Sequence, residues 1–214
     1  PHISEPFSTR SVMIDVIIGL VPAMAAAGYY FRVHAVLLIS TCVLSCVATE
    51  GLCNVIRKRS ISLDDFSAVV TGIILALSLP PKLPLWAAVV GSAVSIAIGK
   101  MVFGGLGANI FNPAMVGRTF LSVSFGVLMT SWTVPATIDP AMPAIAQDNA
   151  TNVRTQATPL AWSKMVIKND LGADIYGEKQ FVATFTGEVG GCLGETCSIA
   201  LLIGGLCLLI RRTI

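Results

Sequence analysis

Six apolar runs fill most of this chain, and one long polar segment, Ser131 to Val189, separates the last of them from the other five. A run of about 20 apolar residues is what a helix needs to cross a hydrocarbon core about 30 Å thick. The first two runs, Val12 to Phe31 and Ala35 to about Leu52, have roughly that length, and the tight turn between them falls at Arg32-Val33-His34. Only 12% of the residues are charged and the mean hydropathy is +0.79, against about 25% charged residues in an average soluble domain. The expected fold class is therefore an all-α polytopic membrane protein with about six transmembrane helices. A formal net charge of +2 gives no electrostatic case for a nucleic-acid partner; membrane lipid is the expected surroundings.

The later runs are less regular. Phe66 to Leu79 and Leu85 to Ile98 are short and are split by Pro80-Pro81-Lys82-Leu83-Pro84, which rules out one continuous helix. Short, proline- and glycine-interrupted runs read either as broken helices around a central site or as thin, tilted spans. Asp64-Asp65 mark a helix start before Phe66. The fifth run, Met115 to about Thr130, contains Arg118, and the sixth, Gly190 to Ile210, contains Glu195 and stops at Arg211-Arg212. Asp15, near one end of the first run, is expected to reach the membrane interface. Glu195, about 7 to 8 Å into its run at 1.5 Å per residue, either bonds loop backbone or belongs to an ion path.

Orientation follows from the basic residues. With the N-terminus inside, eight of them (Arg10, Arg57, Lys58, Arg59, Lys100, Arg118, Arg211, Arg212) fall on the inner side. Six fall outside (Arg32, Lys82, Arg154, Lys164, Lys168, Lys179), four of these on the long segment. The positive-inside rule then places residues 131–189 outside. That segment is far longer than an ordinary connection and is expected to be functional. The resulting division is an N-terminal membrane region over 1–130, an outer loop over 131–189, and a sixth span over 190–214.

Phe103-Gly104-Gly105-Leu106-Gly107-Ala108-Asn109-Ile110-Phe111-Asn112-Pro113 lacks G-x-G-x-x-G spacing and is no dinucleotide fingerprint. Its glycines allow close backbone approach, to another helix or to a flat ligand, with Asn109 and Asn112 able to satisfy exposed backbone groups. The six cysteines form no C-x-x-C pair and read as small packing residues, with ligation of a cluster between subunits as the alternative. No side chain stands out as a catalytic acid, base or nucleophile, and no metal site is expected.

Several stretches carry a specific resemblance: Pro1-His2-Ile3 with Ser8-Thr9; the glycine-rich stretch from Phe103 to Gly117; Thr155-Gln156-Ala157-Thr158-Pro159-Leu160; and Gly190-Gly191-Cys192-Leu193-Gly194-Glu195-Thr196 followed by Leu201-Leu202-Ile203-Gly204-Gly205. In order and spacing they resemble the family of Rnf electron-transport D subunits and the B subunits of sodium-pumping NADH:quinone reductases. The resemblance implies a two-repeat, inverted membrane fold of which this chain is part. It implies FMN joined by a phosphoester to the last threonine of an S/T-x-A-T motif, here Thr158, with Thr155 and Ala157 beside it. Gly105, Asn109 and Asn112, from the stretch that allows approach of a flat ligand, are the further candidate cofactor-binding residues, and the resemblance allows a non-covalent riboflavin among the spans. Gln156 and Asn152 depart from the family's usual residues and bear on recognition by the flavin transferase that installs the group. Implied partners are that transferase and the other Rnf subunits: the flavin-bearing G, the membrane A and E, and the iron-sulfur B and C subunits. The implied activity is electron transfer between NADH and ferredoxin coupled to Na⁺ or H⁺ movement across a bacterial or archaeal inner membrane. A channel or transporter without a redox cofactor, or a purely structural subunit, are the competing readings.

Overall fold

A computed structural model of the chain describes residues 8–58, 64–132, 185, 190–195 and 197–211. Among them every regular element is helical: α1 (Thr9–Ile56), α2 (Ser67–Leu77), α3 (Leu85–Ile96), which runs on as a π-helical turn over Ala97–Met101, α4 (Pro113–Ser124), α5 (Gly126–Met129) and α6 (Ser198–Ile210).

The first two apolar runs are the two arms of α1. Arg32 alone leaves helical geometry, at φ 53° and ψ −137°. A Cβ added to Gly28 would touch Val36 Cγ2 at 4.0 Å, whereas residues eight apart in a straight helix lie about 12 Å apart along its axis. The chain therefore reverses at Arg32, where the turn is expected. Each arm is roughly 23 residues, about 35 Å, and α1 is the one described helix long and apolar enough to cross a membrane. Pro22 sits inside the first arm without ending it; its missing N–H frees one carbonyl, a cost that membrane helices tolerate.

Small residues line the packed faces. The first arm buries Gly19, Ala23 and Ala27, and the second buries Ala35, Leu38, Cys42, Cys46, Glu50 and Asn54, both at helical spacing. Lipid tails are as apolar as leucine, so helices associate through close van der Waals contact and small residues permit it. A Cβ at Gly204 of α6 would run into the carbonyl oxygen of Gly19, and one at Gly19 would meet Leu208. Asp15 does not simply reach the interface: it pairs with Arg211, just past the end of α6. Together these contacts set α6 antiparallel to the first arm.

The remaining runs depart from full spans. α2 has 11 residues and reaches about 16 Å, roughly half a hydrocarbon core. Its start and the end of the π-helical turn meet, Lys100 Nζ donating to Ser67 Oγ at 2.5 Å, so α2 and α3 form a short hairpin beside the second arm of α1. Its helix start matches expectation, since Asp65 Oδ1 accepts from the Ser67 backbone N–H at 3.0 Å. At its tip Leu79, Pro80, Pro81 and Leu83 are buried. The sixth run is helical only from Ser198; residues 190–195 are extended and turned, and they reach that tip. Leu193 N donates to Leu79 O at 3.1 Å and Gly194 N to Leu77 O at 2.8 Å. Non-helical backbone at membrane depth persists only where such partners satisfy it. The fifth run breaks at Phe125 into α4 and α5.

Outward-facing residues include Leu37, Leu44, Leu52, Val55, Trp86, Val123, Val127, Leu202, Leu206 and Leu209, a surface suited to lipid rather than water. Lys100, assigned above to the inner-side cations, is instead 2% exposed, which narrows the basic excess to seven against six.

Close contact between α3 and α4 makes one position decisive. A Cβ at Gly117 would lie on Ser95 Oγ and 2.6 Å from Gly91 O, whereas one at Gly126 would meet nothing within 4 Å. Gly117→Ala is expected to destabilise the folded subunit by about 1–3 kcal/mol, read as a lower Tm in detergent. Gly126→Ala should leave Tm unchanged or slightly raised.

Candidate functional site

Thr155, Ala157 and Thr158 lie outside the described residues. Gly105, Asn109 and Asn112 lie in the loop that joins the π-helical turn to α4. Gly104, Gly105 and Gly107 adopt φ of 120°, 112° and 86°, conformations that side-chain-bearing residues avoid. The asparagines act on their own backbone, as expected: Asn109 Nδ2 donates to Phe111 O at 3.0 Å, and Asn112 Oδ1 accepts from Ala114 N at 3.0 Å, capping α4 with Pro113 at its first position. No described helix approaches Gly105 or Gly107, where an added Cβ would meet nothing within 4 Å. Ile110 and Phe111 beside the asparagines are exposed, so Gly105, Asn109 and Asn112 share one open turn at the surface of the described helices. The close-packing glycines lie in the helices instead.

Arg118 of α4 reaches the tip of the short hairpin. Its Nη2 donates toward Cys192 Sγ at 3.6 Å. Cys192 N in turn donates to Glu195 Oε2 at 3.3 Å, and Glu195 N to Cys192 O at 3.1 Å. Glu195 is exposed and bonds loop backbone, the first of the two roles considered for it. Its carboxylate holds the turn that carries the 190–195 segment into the α2–α3 tip. Glu195→Gln, which keeps an acceptor oxygen, is expected to leave Tm within about 1 °C of the parent; Glu195→Leu should lower it through the orphaned Cys192 N–H.

The strongest concentration of buried polar chemistry is elsewhere. Glu50, on the second arm of α1, is 1% exposed, and its Oε1 accepts from Lys100 Nζ at 2.5 Å. The same ammonium donates to Ser67 Oγ at 2.5 Å, and Ser67 Oγ donates to Asp65 Oδ1 at 2.8 Å. The π-helical turn over Ala97–Met101 shifts the register of the end of α3 and carries Lys100 inward. Arg57 fixes that turn from outside by donating Nη1 to Met101 O at 2.6 Å. Among the described residues, Glu50 Oε2 and Asn54 Nδ2, one turn apart on α1, are buried and unpartnered, as are Ser92 Oγ and Ser95 Oγ on α3.

In the sequence Glu50 falls near the end of the second run and Lys100 just after the fourth, and sequence reasoning missed their pairing. The available signal was two opposite charges at run ends, each needing a partner in hydrocarbon. Lys100→Met leaves the Glu50 carboxylate without its counter-ion and is expected to cost about 3–5 kcal/mol, whereas Glu50→Gln with Lys100→Met should cost much less. Thermal unfolding of the two variants in detergent checks this.

Residues 1–214, the whole chain, match the NQR2, RnfD, RnfE family. The chain is 43% identical to the D subunit of the Na(+)-translocating ferredoxin:NAD(+) oxidoreductase complex of Acetobacterium woodii, over 100% of this chain and 62% of that protein. It is 35% identical to the D subunit of the proton-translocating ferredoxin:NAD(+) oxidoreductase complex of Clostridium ljungdahlii, again over 100% and 62%. The D subunit of the ion-translocating oxidoreductase complex of Yersinia enterocolitica is 34% identical, over 99% of this chain and 66% of that protein. The chain thus spans a little under two thirds of the length of the first two relatives. Its helical architecture, its long apolar helix and the match along its full length assign this chain to the membrane family of NQR2, RnfD and RnfE.

Proposed function

We propose that this chain belongs to the electron-transfer subunit of an ion-translocating ferredoxin:NAD oxidoreductase complex and carries FMN on Thr158. The observation that carries this reading is the Thr155-Gln156-Ala157-Thr158 motif, placed in the long polar segment of a chain whose relatives are named for that activity. In the phosphoester the Thr158 Oγ bonds the flavin phosphate. Ala157 leaves space beside that oxygen, and Pro159 restricts the backbone just after it. Thr155, the other hydroxyl of the motif, is assigned the role of orienting the loop. When bound, the isoalloxazine accepts or releases one or two electrons, and the protein supplies its position and surroundings. Held on Thr158, the group would take electrons from another flavin or iron-sulfur subunit of the complex, with the energy released linked to Na⁺ or H⁺ movement across the membrane. A riboflavin among the spans is a second cofactor consistent with this role.

In the same reading the outer loop is the flavin-bearing unit between two membrane regions of an inverted-repeat fold. We place the flavin loop on the outer side of a bacterial or archaeal inner membrane, the side that the sequence's distribution of basic residues favours. A channel or transporter without a redox group would leave the Thr158 motif without a purpose.

When the protein is made alongside its flavin transferase, a denaturing gel should show a fluorescent band that Thr158→Val abolishes and Thr155→Val only weakens. A band of full intensity from Thr158→Val would reject the attachment site, and a colourless parent protein would favour the transporter. For sidedness, a cysteine replacing Asn169 should react with an impermeant thiol reagent in intact cells, and one replacing Ser60 should be protected. The opposite pattern would move the flavin to the inner side.

A further inference from the structure

The second arm of α1 presents an outward stripe at helical spacing, in which Leu37, Leu44, Leu52 and Val55 are all exposed. From Leu37 to Val55 the stripe runs about 27 Å at 1.5 Å per residue, close to the thickness of a hydrocarbon core. It ends on two exposed cations, Arg57, the C-cap of α1, and Lys58 just after it. Arg57 Nη1 donates to Met101 O at 2.6 Å, and on either side of Met101 in the chain Ile98 and Val102 are exposed as well. The end of α1 and the π-helical turn thus present apolar surface beside the same guanidinium.

The cations at this end of the bundle are not equivalent. Lys100 is matched by Glu50 and Arg211 by Asp15, while the Arg10 guanidinium lies over the ring of Phe66 at 5.3 Å. Among the described residues no carboxylate pairs with Arg57 or Lys58. The remaining acids here are Asp64, which is exposed, and Asp65, whose Oδ1 holds Ser67. Arg57 places one N–H on Met101 O, which fixes the guanidinium against the π-helical turn and leaves its other N–H groups for an oxygen anion. Basic groups that directly follow a membrane helix attract the phosphates of anionic lipids.

We propose that Arg57 and Lys58 bind the phosphate of an anionic glycerophospholipid whose acyl chains lie along Leu52 and Val55 and against Ile98 and Val102. A lipid is the occupant because unmatched charge and exposed apolar surface meet at one point, and a lipid satisfies both in a single molecule. Free phosphate would use the cations alone, and a soluble acidic protein would leave the stripe uncovered. Since Arg57 also holds Met101 O, the bound phosphate braces the π-helical end of α3. The site requires neither the flavin nor ion movement.

The test uses the assembled complex with its full-length subunit, in phosphatidylcholine nanodiscs doped with a phosphatidylglycerol that carries a photoreactive diazirine on one acyl chain. After illumination the cross-linked peptides of this subunit are quantified, and the matching phosphatidylcholine probe at equal dose gives the background. Labelling above background is expected on the stretch from Leu52 to Ile56. Lys58→Gln, an exposed replacement that leaves the Arg57–Met101 bond in place, is expected to cut the excess about five-fold. Lys58→Arg should retain it, and Arg57→Gln with Lys58→Gln should bring it to background. Equal labelling by the two probes, which marks ordinary surrounding lipid, overturns the proposal. So does labelling that Lys58→Gln leaves unchanged, or a stretch that a neighbouring subunit shields from both probes.

Discussion

The bond between Lys100 and Glu50 ties together the parts of this subunit that helix propensity alone would leave apart. One ammonium reaches the second arm of α1 through Glu50 and the start of α2 through Ser67, while its own backbone forms the π-helical end of α3. Three elements separated by tens of residues are thus held at one level of the bundle. In hydrocarbon neither charge has an aqueous alternative, so the pair specifies which helix ends meet even where its net contribution to stability is small. Packing above that level depends on small residues and backbone contacts, which specify distance more than identity.

Much of the fold was legible in the sequence because apolar length and turn chemistry are local. The hairpin of α1 follows from two bilayer-length runs around Arg32-Val33-His34, and the start of α2 follows from Asp65 before Phe66. The proline cluster over residues 80–84 separates α2 from α3 for the reason anticipated, since proline can neither donate nor continue the helix. Tertiary relationships were not legible. Nothing near Asp15 announces Arg211, and nothing near Glu50 announces Lys100, because such partners are chosen by the bundle after the helices form.

The candidate site divides along the same line. Asn112 as the cap of α4 and Asn109 as a turn stabiliser could be read from their neighbours. The glycines around them carry the left-handed geometry of the loop, while close approach between helices occurs at crossings such as that of Gly117. A glycine's sequence context does not distinguish those uses: both require the missing Cβ, one for φ and the other for space. The π-helical register that turns Lys100 inward is likewise invisible, since no residue type marks the extra residue in the turn.

The junction between the hairpin tip and the 190–195 segment has a property that its side chains do not control. Both of its bonds run from main-chain N–H to main-chain carbonyl, from Leu193 to Leu79 and from Gly194 to Leu77. Side-chain replacement at Leu79 or Leu193 alters packing around the seam without removing either bond. Only a residue lacking the donor, proline at 193 or 194, deletes one outright. Away from Gly194, where a Cβ would press on Leu77 at 3.1 Å, and from Glu195, the seam can therefore change composition while its register is kept, and two membrane segments far apart in the chain stay aligned by a contact between main chains.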